Sequence, residues 1–363
     1  ITVKHKNFFF ALFLVMSEKT LIFYVKLDLF DLLCYHVNMI KAQILDTTLI
    51  SHMNSLHTDE MSVFVMADGL FRGALFHGTR FVNQMRAQFN LGILETMVLA
   101  QGCIGAALMI PTMKGKEQLQ FRYDTNGPAA GFSVEADSTG FVRGHLFQNP
   151  IPVDAPLESW DLAPFFGPGT LTITRLSSHS KEPQRGTVEI KHKNIAKDLS
   201  WYFLQSEQIK TAFNISVQFD AKGSVTGAGG MFLQALPSVG GRRSKQMSDD
   251  FFEEKNGVFL PSEHLINKVE HAFSSCPSLG QWYSEKGNND DIIFGLFREF
   301  QPTIALVRSV NFNCPCSKDK YLDYIKNLNT AEFDDIMNNG PDPLEVVCHN
   351  CGSKYNISLG ELK

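Results

Sequence analysis

Cysteine is scarce in this chain, with seven in 363 residues. That excludes a secreted scaffold held together by disulfides. A surplus of positive charge is missing too. Lys and Arg number 33 against 38 Asp and Glu, for a formal net charge of −5. No broad basic surface is expected, so nucleic acid falls away as a partner. No phosphate-binding glycine loop opens a helix after a strand. The GAGG at residues 227–230 lacks the Lys-Ser/Thr that would follow in such a loop and reads instead as close backbone packing or a bulge. No Ser-His-Asp or Cys-His grouping stands out. His77, His145 and Asp198 read as structural, Cys103 as a buried, inert thiol, and the chain is not expected to be an enzyme.

Long apolar runs are few. Residues 8–16 form a nine-residue apolar stretch after Lys4 and Lys6, loosely like a signal peptide. It is far short of the ~20 residues that span a bilayer, and no small-x-small cleavage site follows. Residues 1–38 are therefore expected to be a non-native or upstream extension, with translation starting at Met39. The protein is expected in the cytoplasm, without a membrane partner. A second apolar run, LGILETMVLAQGCIGAALMI, contains Glu95, Gln101 and many small residues. It predicts a buried core helix rather than a membrane span.

What is present is ordinary globular material: 44% hydrophobic and 20% charged residues, long enough for two or three domains. From residue 61, MSVFVMA and LFRGALF flank an Asp68-Gly69 turn and predict paired strands. A helical stretch follows over about 81–109. A meander comes next (LQFRYDT, AGFSVEA, FVRGHLF), then the pair GTLTITRL and RGTVEIK. NIAKDLSWYFLQSEQ predicts a helix, and FNISVQFD and MFLQALP predict strands. Strand runs with segregated helices predict an α+β fold. The expected division is an α+β core domain at 39–237, a metastable helical linker at 238–310 and a small four-cysteine domain at 311–363.

The linker opens with the GGRRSK of residues 240–245. Leu265, Val269 and Phe273 share one helical stripe; Ile292, Ile293, Leu296, Phe297 and Phe300 form another. Such amphipathic helices need a surface to dock on, and a docked segment of this kind can also undock.

Four of the seven cysteines crowd the last fifty residues: Cys314-x-Cys316 and, with 31 residues between, Cys348-x-x-Cys351. Two close pairs separated by a long loop predict one tetrahedral Zn²⁺ per chain, bound by four thiolates. Four sulfurs saturate the ion, so His349 is not needed and the zinc is structural rather than catalytic. Residues 311–363 carry eight acidic and five basic side chains. Four thiolates on a divalent ion add two more negative charges, which again argues against a nucleic-acid ribbon. So small a module must lean on its metal, worth about 10–16 kcal/mol of folding free energy. The same thiolates are open to peroxide or hypochlorous acid. Two readings follow from the residues: a redox switch, or a constitutive interaction or adaptor protein whose zinc only holds the tail together.

From Met39 onward the chain resembles the 33-kilodalton redox-regulated chaperonin family. The resemblance rests on NCPCSKDK and EVVCHNCGSKY, on IAKDLSWYFLQSEQ, on GAGGMFLQALP, and on NGPAAGFSVEADSTGFVRGHL with GPGTLTITR. Residues 1–38 lie outside it, and 242–300 match its pattern poorly. The resemblance implies a cytoplasmic, ATP-independent holdase, inactive while reduced and zinc-loaded. It implies that oxidation joins Cys314 to Cys316 and Cys348 to Cys351, that zinc is released and the linker unfolds, and that the active form, a homodimer when oxidised, binds unfolded or misfolded client proteins.

Overall fold

A hairpin opens the first sheet of the structure, a computed structural model that describes residues 39–153, 159–177, 182–236, 238–239, 249–255 and 258–363. Asp46 caps α1 (Thr47–Ser55) by accepting from the Thr48 and Leu49 amides. β1 (Glu60–Met66) and β2 (Phe71–His77) then pair antiparallel across a turn in which Ala67, Asp68 and Gly69 all take positive φ. The helix expected over 81–109 is two helices. α2 (Thr79–Phe89) ends at Asn90, which adopts the left-handed conformation, and α3 (Ile93–Met109) starts after Gly92. The expectations for 1–38 and for 240–245 fall outside the described residues.

The meander is β3 (Glu117–Thr125), β4 (Gly131–Asp137) and β5 (Phe141–Leu146), followed by β6 (Gly169–Ser177) and β7 (Gln184–Glu189). In β3 the buried residues alternate at Leu119, Phe121, Tyr123 and Thr125, as a strand with one face on the core requires. α4 (Ile195–Tyr202) precedes β8 (Thr211–Phe219) and β9 (Val225–Ala235). α3 packs against β4 and β5 of one sheet and β8 and β9 of the other. That position explains a helix apolar on every side. Ile93–Thr112 is long and apolar enough to cross a membrane by composition, yet 89% of its most apolar window is buried inside the protein. Cys103 sits on it fully buried, and burial pushes its thiol well above the usual range. Asp198 is structural: it accepts from the Lys191, His192 and Asn194 amides and from the Tyr123 hydroxyl.

The next segment is more than helices. A small three-stranded sheet of β10 (Ser238–Val239), β11 (Phe252–Lys255) and β12 (Val258–Pro261) comes first. Its hairpin had a sequence signal, Asn256-Gly257 between two short runs, that the helical reading passed over. α5 (Glu263–Ser274), α6 (Leu279–Ser284) and α7 (Asn289–Leu296) follow, with Ser262, Ser278 and Asn288 as N-caps. β13 (Thr303–Arg308), also unexpected, is the edge of a five-stranded sheet ordered β13-β1-β2-β9-β8. β14 (Asn311–Phe312) pairs parallel with β5 at the edge of a six-stranded sheet ordered β14-β5-β4-β3-β6-β7.

The three helices cover one face of the five-stranded sheet. Leu265, Val269, Leu279, Tyr283, Ile292, Ile293, Phe297 and Phe300 are buried against Phe64, Leu75, Met231 and Leu233. The GAGG glycines are what let α6 approach: a Cβ on Gly227 would fall 1.9 Å from the Gly280 carbonyl oxygen, and one on Gly229 would meet the Tyr283 ring at 2.4 Å. Close backbone packing is thus their role. A buried polar latch sits beside them. The Tyr283 hydroxyl donates to Asn289 Oδ1, whose amide donates to Ser62 Oγ and the Leu75 carbonyl. The His77 ring stacks on Tyr283 at 4.3 Å.

The chain divides into two compact units. The larger spans Lys41–Cys314 and takes in Cys348–Ser353. The smaller includes Pro315–Val347 and Lys354–Lys363. The smaller holds α8 (Lys318–Lys326), α9 (Thr330–Asn339), the hairpin of β15 (Leu344–Val347) and β16 (Lys354–Ile357), and α10 (Leu359–Leu362). Its apolar centre is slight: Ile325, Ile357 and Leu362 are buried, with half-buried neighbours such as Tyr321 and Phe333 around them. α9 buries no residue fully.

Candidate metal centre

Each cysteine pair is shaped by backbone. Asn313 donates its amide to the Val142 carbonyl beside β14, and its side-chain oxygen accepts from the Cys314 amide, which fixes where the first pair begins. The second pair lies in a tight loop. The Cys348 amide donates to the Ser353 carbonyl, and the Gly352 amide donates back to the Cys348 carbonyl at 2.7 Å. Gly352 has φ +70°, and a Cβ there would press on the Gln88 carbonyl oxygen at 2.7 Å. Both the turn and the close approach require glycine.

The result is four buried sulfurs. Cys314, Cys316, Cys348 and Cys351 place their Sγ atoms within 4.8 Å of one another. Cys314 and Cys348 Sγ are 3.8 Å apart. Zinc–thiolate bonds of about 2.3 Å in a tetrahedron put neighbouring sulfurs about 3.8 Å apart, so the donor set fits Zn²⁺. A disulfide needs about 2.05 Å, so this spacing is that of two separate sulfurs. His349 is not one of the four groups; its ring lies 3.7 Å from that of His145.

Polar neighbours surround the sulfurs. Arg143 Nη1 points at Cys314 Sγ from 3.7 Å while its other nitrogens bind Glu135. Burial works against the Arg143 charge, but Glu135 and the Cys314 sulfur outweigh it and hold the pKa above its ordinary value. The Tyr355 hydroxyl is 3.2 Å from both the sulfur and the carbonyl oxygen of Cys316. Ser353 Oγ is 3.2 Å from Cys351 Sγ. Such contacts orient thiolates and moderate their charge. Within the larger unit the 348–353 loop is held by the Gly144 amide, which donates to the Asn350 carbonyl, by Gln88 Nε2 donating to Ser353 Oγ, and by a His145–Asn350 side-chain bond. Burial, then the neighbouring His349, lowers the His145 pKa to about 4, so this imidazole is neutral and structural.

All four expected cysteines come together. Their partners were not read from the sequence. Ser353 and Tyr355 continue an alternation from Cys351, a faint signal. Arg143 is 171 residues from Cys314 and left none.

The geometry meets a consistent set of relatives. The family profile described as Hsp33 protein matches residues 59–358. The chain belongs to the Hsp33 family. It is similar to the 33 kDa chaperonin of Carboxydothermus hydrogenoformans, 28% identical over 310 residues that cover 82% of this chain and 98% of that one. The 33 kDa chaperonin of Geobacter sp. (strain M21) is 27% identical over 306 residues, 84% of this chain and 96% of its own. Among solved structures, the 33 kDa chaperonin of Thermotoga maritima superposes with a TM-score of 0.67 at 26% identity, covering 84% of this chain and 97% of that one. Membership in the Hsp33 family makes the chain a chaperone, and its fold is that family's α+β fold with a C-terminal four-cysteine cluster.

Proposed function

We propose that the chain is a redox-regulated, ATP-independent holdase. The observation that carries the reading is the convergence of four buried cysteine sulfurs within 4.8 Å of one another in a chain of the Hsp33 family. Cys314, Cys316, Cys348 and Cys351 hold one Zn²⁺ in the reduced state. The bound ion supplies folding free energy to the cysteine module, about 10–16 kcal/mol, and no reaction.

Oxidation joins Cys314 to Cys316 and Cys348 to Cys351. Four thiolates, two peroxide molecules and four protons give two disulfides and four waters: two S–S bonds form, two O–O bonds break, and the sulfurs lose four electrons in all. Sulfurs tied in disulfides no longer hold the ion. The cysteine module, residues 311–363, then loses its fold, and the linker at 238–310 loosens with it. The apolar side chains of α5, α6 and α7 and the sheet they cover become available to unfolded or misfolded clients. The oxidised form is a homodimer, the compartment is the cytoplasm, and neither nucleic acid nor a membrane is a partner.

Cys103 and Cys276 stay out of this chemistry. Burial pushes the Cys276 thiol up to about 12 and Cys103 higher still, so neither supplies thiolate at neutral pH.

The test pairs zinc release with client protection. Reduced protein should carry one zinc per chain and leave a heat-unfolding client to aggregate. Peroxide with mild heat should release the zinc and start aggregation suppression. Equal suppression before and after peroxide would replace the switch with the constitutive adaptor reading.

A further inference from the structure

β1 is built as an interior strand. After Glu60 at its start, β1 carries no Pro, Lys, Arg, Asp or Glu, and Met61, Val63, Phe64 and Met66 are buried. Interior strands carry such continuous apolar runs, whereas edge strands are protected by charge, proline or irregularity. On one side β1 pairs with β2 along its whole length. Its other neighbour is β13, which lies in the linker and ends six residues before Cys314.

β13 is a loose tenant. Its ladder with β1 runs Met61–Arg308, Ser62–Val307 and Val63–Leu306, then shifts to Phe64–Ile304, leaving Ala305 without a partner strand residue. Such a bulge bends and weakens the pairing. Leu306 and Val307 are each 50% exposed, and Ile304 is the β13 residue that packs on the core beneath. Backbone bonds, the Ile304 contact and an Arg308 guanidinium that donates to the Ser138 carbonyl hold this strand, with little side-chain burial.

We infer that the outer edge of β1 is the client-binding edge, filled in this structure by β13 as an internal placeholder and filled after activation by an extended apolar segment of an unfolded polypeptide. The inference rests on the holdase reading and names its site. Undocking that carries β13 away leaves an apolar strand with a row of open N–H and C=O groups. That edge recognises backbone, the feature common to every unfolded chain, and one apolar side chain at the Ile304 position completes the core. The outer edge of β13 itself has no strand neighbour among the described residues, so it is open before activation too and offers no switch.

Two measurements on the full-length protein test this, with a permanently unfolded carrier protein as the probe. The first is hydrogen exchange in residues 60–66. Oxidation should speed exchange of the amides that face β13 by about tenfold or more, and adding the unfolded probe should return that protection. The second is Leu306→Pro, which removes one ladder donor from β13. Reduced, zinc-loaded L306P should bind the probe where the reduced parent does not, with zinc content unchanged. Oxidised protein that holds the probe while the β1 amides remain fast would overturn the edge and leave the holdase standing. A photo-crosslinker at Val65 that captures a second copy of the chain instead of the probe would also overturn it. Oxidised parent protein that holds no probe at all would be the separate failure of the holdase reading.

Discussion

The two units of this chain bury very different amounts of apolar side chain. In the larger, rings and branched side chains are packed out of reach of water: Phe121, Tyr123, Phe132, Ile173 and Phe232 are at most 1% exposed. In the smaller, Ile325, Ile357 and Leu362 are the buried apolar centre, too little to order some forty residues by themselves. The first is held by burial, which oxidants do not touch. The second, on the proposed reading, leans on a metal held by thiolates that oxidants attack. On that reading, oxidation of the cysteines becomes a conformational change in one unit, and the other is a scaffold that survives it.

Four experiments break or sharpen that contrast. The largest effect is expected from Cys316→Ser with Cys351→Ser. Zinc should be lost and the smaller unit should unfold, a cost on the order of 10 kcal/mol to that unit, read as missing zinc and lost protection of β15 and β16, with β3 to β6 unchanged. Phe132→Ala, in the larger unit, should reverse the pattern. Its ring contacts those of Phe121 and Tyr123, and its removal should cost about 3–5 kcal/mol of global stability while zinc affinity stays at the parent's value.

Asn289→Leu acts between these extremes. It removes the amide that ties α7 to Ser62 and Leu75 and strands the Tyr283 hydroxyl. A loss of about 2–3 kcal/mol is expected, confined to the docked helices, so client protection should begin at lower temperature or less oxidant with zinc still bound. Tyr355→Phe is the smallest. It deletes the hydroxyl beside Cys316 for about 1 kcal/mol, visible as faster zinc transfer to a competing chelator and not as a change in the larger unit.

Legibility in the sequence follows the same physics. β3 alternates because one face is dry and the other wet, and α3 is apolar all round because it has a sheet on both sides, so both were readable. The break between α2 and α3 rests on one left-handed residue, Asn90, which leaves hydrophobic periodicity undisturbed. β13 was missed because its side chains are mostly exposed; a strand held by backbone leaves little trace in composition. At the candidate metal centre the four cysteines are local pairs and announce themselves by spacing. Arg143 reaches the site through sheet register, opposite Glu135 on the neighbouring strand, and register is a property of the assembled sheet.

The most direct test removes the metal without any oxidation. Reduced protein stripped by a strong chelator is compared with zinc-loaded protein by hydrogen exchange, segment by segment. The account predicts that α8, α9, β15 and β16 lose their protection together and regain it when zinc is restored, while β3, β4, β6, β8 and β9 exchange at unchanged rates. Metal-free protein in which β15, β16 and α8 stayed as protected as in the zinc-loaded form would contradict it, because the smaller unit would then stand on burial alone and loss of metal from Cys314, Cys316, Cys348 and Cys351 would have no fold to release.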